Sequence, residues 1–341
     1  MGYFPSWRLT SNAVVLPDER LPAAAAIPMG VQHLLAMSGS TIVAPLLMGF
    51  DPNVAVFFSG IGTLLFFLLT AGRVPSYLGS SFAFIAVVIA ATGYGGSGPN
   101  PNIGIALGGI IACGALYALI GLVVMAIGTG WVERLMPPVV TGAIGVSIGL
   151  NLAPVAVSQL KGTGTHITIA LLTVLCMAMI AAYGPRGTKR LSVLFALLFG
   201  YLLVLILGNG LGIVPGIDFT AVSNAAWFGL PHFTTPEFNW QAITLIAPVA
   251  IVLVAENLGH IKALGSITGQ NMDSYIGRGF LGDGLATMIS GSGGGTGVTT
   301  YAENIGVMAM TKVYSTLIFV IAAIMALILG MSPKFGAILQ T

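Results

Sequence analysis

The sequence predicts an all-α polytopic membrane protein, and three observations carry this prediction. Only 22 of the 341 residues are charged, 12 Lys or Arg and 10 Asp or Glu, so charged residues make up 6% of the chain, against about a quarter in a soluble domain. Hydrophobic residues make up 56% and the mean hydropathy is +0.98. So few charges cannot cover the surface of a soluble globular protein, which excludes that class. Apolar stretches follow one another almost without a break from about Ala24 to Met331.

We divide these stretches into eleven membrane spans, because a helix that crosses the hydrocarbon core needs roughly 20 mostly apolar residues. The spans are 25–49, 54–71, 80–94, 103–128, 138–158, 167–184, 191–213, 241–263, 279–292, 297–313 and 315–331. Residues 1–22 are polar, include Pro17-Asp18-Glu19-Arg20 and lack the apolar core of a signal peptide. A short soluble tail is therefore expected at the N-terminus.

The basic residues give the orientation, because cytoplasmic loops of membrane proteins carry an excess of Lys and Arg. With the N-terminus in the cytoplasm and eleven alternating spans, ten basic residues lie inside: Arg8, Arg20, Arg73, Arg134, Arg186, Lys189, Arg190, Lys262, Arg278 and Lys312. Lys161 and Lys334 fall outside, as does the longer acidic connection 214–239. The sequence therefore predicts an integral protein of the cytoplasmic membrane with a cytoplasmic N-terminus.

Two spans, the third and the tenth, are interrupted by residues that do not favour a helix. Around Gly79–Phe84 a short polar element precedes a hydrophobic run too brief to cross alone, and around Gly291–Tyr301 glycine and β-branched residues replace helix formers. Non-helical backbone survives at membrane depth only where protein or a water-filled cavity satisfies its polar groups. Interruptions at matching places in the two halves therefore predict an inverted-repeat transporter, with short half-strands in spans 3 and 10 and a substrate site at the midplane.

Glycine-rich stretches also allow helices to pack closely. We favour this role for the scattered glycines of 104–130, but not for 291–301, where so many glycines in a row would break a helix. The match of Ser290–Gly297 to a phosphate-binding loop is weak, because no Lys-Ser or Lys-Thr follows it.

Five ionisable residues lie within or beside the predicted spans. Glu256 and His260 are four residues apart and share one face of a predicted helix, and Glu303 stands where the second interrupted span resumes as helix. A charge at the bilayer centre costs at least ~2.5 kcal/mol, so a carboxylate there normally faces a cavity or a partner. We favour a functional role for both glutamates, while His260 either titrates or orients Glu256. For His33 and Asp283 a structural hydrogen bond is equally compatible with the sequence.

Several other classes of function find no support in the sequence. Zinc-protease, paired-cysteine and nucleophile-elbow motifs are missing from the chain, so nothing indicates an enzyme or a metal site. The net charge is +2 and the basic residues are scattered, which gives no nucleic-acid footprint. Cys113 and Cys176 lie in apolar runs, so no disulfide framework is implied.

Four passages resemble the nucleobase–cation symporter-2 family, also called nucleobase–ascorbate transporters, and within it the bacterial uracil and pyrimidine permeases. They are Gly30-Val31-Gln32-His33, Pro75-Ser76-Tyr77-Leu78-Gly79-Ser80-Ser81-Phe82, Ala255-Glu256-Asn257-Leu258-Gly259-His260 and the stretch 299–311. The last contains the family signature, Glu303-Asn304, one residue, Gly306, four residues and Thr311-Lys312. The resemblance extends over essentially the whole chain.

The resemblance implies a fold of fourteen spans in two inverted sevens, of which about eleven are expected in this sequence. It divides the chain into a cytoplasmic tail (1–23), core spans 1–4 (24–130), gate spans 5–7 (131–213), an extracytoplasmic connection (214–239) and core spans 8–11 (240–333). Gate spans 12–14 are expected to have no residues here. A homodimer is expected only where those gate helices are present.

The resemblance also implies which residues bind substrate, between the half-strands of spans 3 and 10. The substrate-binding residues would be Glu256, Glu303, Phe82, Ala302 and Tyr301, with proton coupling through His260 and Glu256. The two glutamates would supply carboxylates, Phe82 and Ala302 backbone N–H groups, and Tyr301 a wall of the pocket. Ala302 stands where related permeases often have glycine, which narrows the space. Further candidates at the site are His33, Ser81, Asp283 and Thr300.

By the same resemblance, the expected activity is proton-coupled uptake of uracil by alternating access. Relatives with an acidic residue at the first signature position look like pyrimidine carriers, so Glu303 favours uracil. Membrane lipid is the other expected partner, nucleic acid is not one, and no cofactor is expected besides the proton as coupling ion. The alternatives left open are a xanthine, urate or other purine symporter, a passive pore or anion carrier, and a transport-inactive fragment of such a carrier.

Overall fold

The computed structural model describes residues 3–10, 12–159, 164–185 and 192–339, and these residues are mostly helical. The helices are α1 (Ala23–Met48), α2 (Pro52–Leu69), α3 (Ile85–Thr92), α4 (Ile103–Ile127), α5 (Gly130–Leu135), α6 (Pro138–Gln159), α7 (Gly164–Tyr183), α8 (Ser192–Val204), α9 (Thr220–Asn224), α10 (Trp240–Ile246), α11 (Val249–Thr268), α12 (Ile276–Ser292), α13 (Ala302–Thr311), α14 (Thr316–Gly330) and α15 (Pro333–Leu339). The strands are β1 (Arg8–Leu9), β2 (Glu19–Arg20), β3 (Leu78–Ser80) and β4 (Val298–Thr300). A π-helical turn, Leu205–Gly210, continues α8.

Within the described ranges, five helices are long and apolar enough to cross a membrane: α1, α2, α4, α7 and the continuous stretch Trp240–Thr268. The pair α14 and α15 also passes if counted as one span bent by 87°. Each of the eleven predicted spans contains a helix, and α4 and α14 lie within a residue of the predicted bounds. The count of eleven stays a prediction, because several of these helices are shorter than a full crossing. Lys161, Arg186, Lys189 and Arg190, used for the orientation, lie outside the described residues.

Two glycines of α4, Gly114 and Gly121, pack this helix against α12, the role expected for glycines in the stretch 104–130. A Cβ added at Gly114 would lie 2.6 Å from the carbonyl oxygen of Gly284, and one added at Gly284 would lie 2.4 Å from the backbone nitrogen of Ala118. Gly121 and Gly277 approach the facing helix equally closely. Such contacts bring two backbones together where any side chain would hold them apart. The packing interpretation is therefore confirmed for Gly114 and Gly121, whereas a Cβ added at Gly128 or Gly130 would meet nothing within 4 Å.

At each of the two predicted interruptions a three-residue strand precedes a helix, and the two strands pair in the protein interior. β3 and β4 are antiparallel, with Leu78 opposite Thr300, Gly79 opposite Thr299 and Ser80 opposite Val298. All six residues are buried. The ladder continues through Ser81 N–H to the Gly297 carbonyl (2.9 Å) and Tyr301 N–H to the Tyr77 carbonyl (3.1 Å).

Threonine hydroxyls form hydrogen bonds with backbone N–H and carbonyl groups at the outer edges of this two-stranded sheet. Thr63 of α2 accepts from the N–H of Leu78 at 2.9 Å and donates to its carbonyl at 3.4 Å. Thr287 of α12 does the same for Val298, at 3.2 and 3.1 Å. Leu78 and Val298 are each the first residue of their strand. Buried backbone groups that the ladder leaves unpaired thus find side-chain partners, as an interior without water requires.

Residues 3–10 and 12–22, which the sequence predicts to be part of a short soluble tail, pack against the ends of α2 and α14. β1 and β2 pair in parallel, and Val15 pairs with Val313. The Trp7 indole N–H donates to Thr316 Oγ1 at 3.0 Å, and its ring stacks on Phe67 with ring centroids 5.7 Å apart. Aromatic and backbone contacts therefore dock this segment on the helical body, and its assignment as a cytoplasmic tail stays a prediction. We call residues 3–10 and 12–22 the N-terminal strap.

Candidate functional site

A cavity of about 450 Å³ lies where the two strand–helix elements meet. Its volume is within the range of small-molecule sites, about 300–1,000 Å³. The lining residues come from the element that follows β3, from α6, from α11 and from the element around β4: Ser81, Phe82, Ala83, Ile148, Glu256, Thr299, Tyr301, Ala302 and Glu303. The cavity therefore brings together all five residues predicted to bind substrate, together with the further candidate Ser81.

Two helix beginnings border this cavity. Phe82 opens the 3-10 turn Phe82–Phe84 that leads into α3, and Ala302 opens α13. Helix geometry leaves the first N–H groups without intrahelical acceptors. Ser81 caps the first of these helices, since its hydroxyl accepts from the N–H of Ala83 at 3.3 Å. The first residues of both helical segments, Phe82 and Ala302, therefore line the cavity.

Glu303 lies in the first turn of α13, where a negative charge interacts favourably with the helix dipole. Its side chain is half-buried. One carboxylate oxygen, Oε1, accepts a hydrogen bond from the Ser40 hydroxyl of α1 at 2.7 Å. The carboxylate is therefore anchored on one side while it lines the cavity on the other.

Glu256 reaches the cavity from α11 and is also half-buried. Glu303 and Asp283 both lie within electrostatic range of it. Asp283 is not among the lining residues of the cavity: its side chain is fully buried on α12, where it accepts from the Asn257 amide at 2.7 Å. The next residue after Glu256 thus ties its helix to α12 through Asp283.

His260 stands one helical turn beyond Glu256 and contacts the strand next to the cavity. Its ring Nδ1 lies 2.8 Å from the hydroxyl of Thr300, the last residue of β4. The candidates His260 and Thr300 are therefore partners of each other, and the cavity lining does not include them. His260 therefore contacts the strand next to the cavity without lining the cavity itself.

His33 is fully buried in α1 and binds the signature residue Asn304. The Asn304 amide nitrogen lies 3.0 Å from His33 Nδ1 and donates to the His33 carbonyl at 3.1 Å. The imidazole also packs on Phe319, with ring centroids 4.7 Å apart. His33 is not in the cavity lining, and its contacts connect α1 to the start of α13.

Tyr301 forms an aromatic wall whose orientation is fixed at its hydroxyl. The phenol donates to the carbonyl of Ser80 at 2.8 Å and accepts from the Thr41 hydroxyl at 3.2 Å. Gly79 makes room for the ring, because a Cβ there would lie 2.6 Å from both Thr41 Oγ1 and Tyr301 Cε2. The strand pair and α1 together hold this ring in place.

Sequence reasoning missed several residues that support the site: Ser40, Thr41, Thr63, Thr287, Asn304 and Ile148. A signal for one of them was present. Ser40 follows His33 by seven residues, about two helical turns, so both lie on one face of α1. That face meets the consecutive signature residues Glu303 and Asn304.

Among the residues that the structure describes, no group of three or more His, Cys, Asp or Glu side chains is arranged to hold a metal ion.

Comparison with known proteins finds that this chain is similar to permeases. A model of the Permease family (Xan_ur_permease) matches residues 24–341. The putative pyrimidine permease RutG of Escherichia coli K12 is 62% identical over 342 residues, which cover 99% of this chain and 77% of that protein. The uracil permeases of Paenibacillus larvae and Escherichia coli K12 are each 40% identical, over 97% and 95% of this chain and 78% and 74% of those proteins.

Solved structures share the fold at low sequence identity. The transmembrane domain of a cyanobacterium bicarbonate transporter, BicA, superimposes with a TM-score of 0.68 at 15% identity, over 93% of this chain and 87% of that chain. SLC26A9 gives a TM-score of 0.60 at 13% identity, over 93% and 56% of the two chains. At these identities the likeness concerns the fold alone.

Proposed function

This chain belongs to the Permease family, the nucleobase–cation symporter-2 group, and from that premise we propose that it carries uracil or a closely related pyrimidine across the cytoplasmic membrane. The family resemblance of the sequence is confirmed, and the relatives are permeases rather than enzymes. The observation that carries the proposal is the convergence of Glu256, Glu303 and two helix beginnings on one cavity.

The chemistry of the cavity complements a pyrimidine-dione. Uracil presents two ring N–H donors and two carbonyl acceptors. Carboxylates accept N–H groups, and the backbone N–H groups at Phe82 and Ala302 donate to carbonyl oxygens. The Tyr301 ring offers an aromatic face for a flat heterocycle. A ligand with the reversed donor and acceptor pattern would leave buried polar groups unpaired, so the site would discriminate against it.

We further propose that β3–α3 and β4–α13 are the broken spans 3 and 10 of two inverted repeats. The antiparallel register and the equivalent roles of Thr63 and Thr287 support this, because a two-fold axis in the membrane plane relates elements in this way. The proposed topology has eleven spans in these residues and a cytoplasmic N-terminus, with core spans in 24–130 and 240–333 and gate spans in 131–213.

Transport is proposed to proceed by alternating access, with the gate segment moving against the core. Ile148 supports this arrangement, since this residue of α6 lines a cavity that is otherwise built from the core ranges.

In the proposed mechanism Glu256 takes up the coupling proton, with His260 as its relay. Glu256 lies near Glu303 and Asp283, so a proton bound among the three acids relieves their mutual repulsion. A proton that enters with the field supplies ~2.3 kcal/mol per 100 mV.

An anion carrier is the second candidate, because the fold neighbours include a bicarbonate transporter and an anion transporter. The carboxylates of Glu256 and Glu303 in the cavity argue against it, since they repel an anion at the proposed binding position. The fold likeness therefore does not extend to the proposed substrate.

The decisive experiment is uptake of radiolabelled uracil by the purified protein in proteoliposomes with an imposed proton gradient. Glu256→Gln keeps the shape but removes the charge, and we expect uptake to fall by about 30-fold or more, the scale of 2–5 kcal/mol for a lost charged hydrogen bond. Glu237→Gln is the matched control: Glu237 is an exposed carboxylate in the connection 214–239, and its variant should transport normally. Wild-type uptake by Glu256→Gln would defeat the site assignment.

Two further conditions in the same assay separate the alternatives. Unlabelled xanthine in excess competes if the protein is a purine carrier and leaves uptake unchanged if the site is specific for pyrimidines. A protonophore abolishes accumulation by a symporter, whereas a passive pore is unaffected.

A further inference from the structure

We propose that Ser40 is a positioning residue for Glu303, and that its hydroxyl sets the affinity of the site by fixing that carboxylate. This inference rests on the proposed function, in which Glu303 binds the substrate. Ser40 is buried in α1 and is not among the residues that line the cavity. It acts on the ligand only through the side chain that it holds.

The geometry fixes the direction of this hydrogen bond. A carboxylate has only acceptor atoms and a serine hydroxyl has one proton, so Ser40 donates to Glu303 Oε1. The distance of 2.7 Å is in the range of charge-assisted O–H···O⁻ bonds, which are about twice as strong as neutral ones. One oxygen is thereby occupied inside the protein, and the second oxygen is left for a ligand.

A glutamate without such an anchor would lose more freedom when a ligand binds. Its side chain has three rotatable bonds, and ordering it costs rotamer entropy. The bond to Ser40 orders the carboxylate before the substrate arrives. Preorganisation of this kind increases affinity without a new contact to the ligand.

A second pair of hydrogen bonds attaches the start of α13 to α1. The effect of the Ser40 hydroxyl on Glu303 can therefore be distinguished from an effect on folding. Asn304 binds the ring and the carbonyl of His33, which lies on the same face of α1 as Ser40, about two turns away. The start of α13 therefore stays attached to α1 when the Ser40 hydroxyl is removed. Thr41 supports Tyr301 in the same manner, so α1 carries supports for two side chains of the cavity.

The chain offers a matched control two residues away. Ser38 lies on the same helix, and its hydroxyl donates to the Leu35 carbonyl of its own helix at 2.9 Å. Ser38→Ala removes a hydroxyl from α1 without touching Glu303. Any loss that comes only from changing a serine in this helix therefore appears in Ser38→Ala as well.

The test measures the KM and maximal rate of uracil uptake in proteoliposomes. We expect Ser40→Ala to raise the KM about 5- to 30-fold, the factor that corresponds to 1–2 kcal/mol, with the maximal rate within about twofold. Ser38→Ala should match the wild type. Ser40→Cys keeps most of the volume with a weaker donor, so its KM should lie between those of the wild type and Ser40→Ala. It also provides the measurement if the alanine variant does not fold.

Glu303→Ala distinguishes failure of this inference from failure of the proposed function. If Glu303→Ala transports uracil with the wild-type KM, the site assignment fails, and the role of Ser40 with it. If Glu303→Ala loses uptake but Ser40→Ala equals Ser38→Ala, only the positioning role is overturned. A fall in maximal rate at unchanged KM for Ser40→Ala also overturns it, because that result reports on conformational exchange rather than on binding.

Discussion

Removal of the Thr63 hydroxyl tests whether side-chain hydrogen bonds to the backbone stabilise the buried sheet. Thr63→Val keeps the shape and removes both hydrogen bonds to Leu78, at 2.9 and 3.4 Å. Leu78 is fully buried, so water cannot replace the lost partner. An unsatisfied buried group costs about 1–3 kcal/mol, and the 3.4 Å bond is weak, so the total should be about 2–3 kcal/mol. For a large domain that corresponds to a fall in Tm of roughly 4–12 °C.

The assay is thermal unfolding of the purified protein in detergent, with and without uracil. Thr70→Val is the matched control, because Thr70 is also buried at the end of α2 but donates to the Phe66 carbonyl, which already accepts the Thr70 N–H. That variant should lose less than about 1 kcal/mol, since no buried group is orphaned. Thr287→Val should match Thr63→Val if the two elements are related by an inverted repeat. Equal melting temperatures for Thr63→Val and Thr70→Val would refute the reasoning.

Three further predictions concern the strands, the strap and an exposed ion pair. Gly79→Ala forces a methyl group to within 2.6 Å of the Tyr301 ring; we expect a loss of about 1–3 kcal/mol and weaker uracil binding by isothermal titration calorimetry. Trp7→Ala removes a ring stack and a hydrogen bond from the N-terminal strap, which should lower stability by about 1–3 kcal/mol and speed proteolysis of the strap. Glu133→Gln breaks an ion pair with Lys262 at 2.9 Å whose side chains are 43% and 40% exposed; because such pairs contribute at most about 1 kcal/mol, the melting temperature should hardly change.

The positions of the helices could be predicted because an apolar run is also the physical requirement for a crossing. The stretch predicted at 103–128 is the helix Ile103–Ile127, and that at 315–331 contains Thr316–Gly330. The N-terminal strap could not be predicted in the same way. Its polar residues have no periodicity, and its fold depends on pairing with residues about 300 positions away, such as Val15 with Val313.

The two carboxylates of the cavity could be predicted, while most of the residues that support them could not. A carboxylate in a membrane span is rare enough to attract attention in the sequence, as with Glu256 and Glu303. A hydroxyl is not, because serine and threonine in helices commonly bind their own backbone. Ser38 does so and Ser40 does not. The seven-residue spacing from His33 places Ser40 on the face of α1 that meets α13, but only the tertiary contact identifies Glu303 as its partner.

The origin of the lining residues constrains how the proposed carrier could work. Eight of the nine come from the elements around β3 and β4 and from α11, and the hydrogen bonds of Thr63, Thr287 and Thr300 link these elements to one another or to their neighbours. The ninth, Ile148, is an aliphatic residue of α6 with no hydrogen-bonding group in its side chain. Every polar group available to a nucleobase therefore belongs to one hydrogen-bonded body. If α6 moves against that body during transport, recognition of the substrate stays intact while its exposure changes, because the moving side contributes only apolar contact.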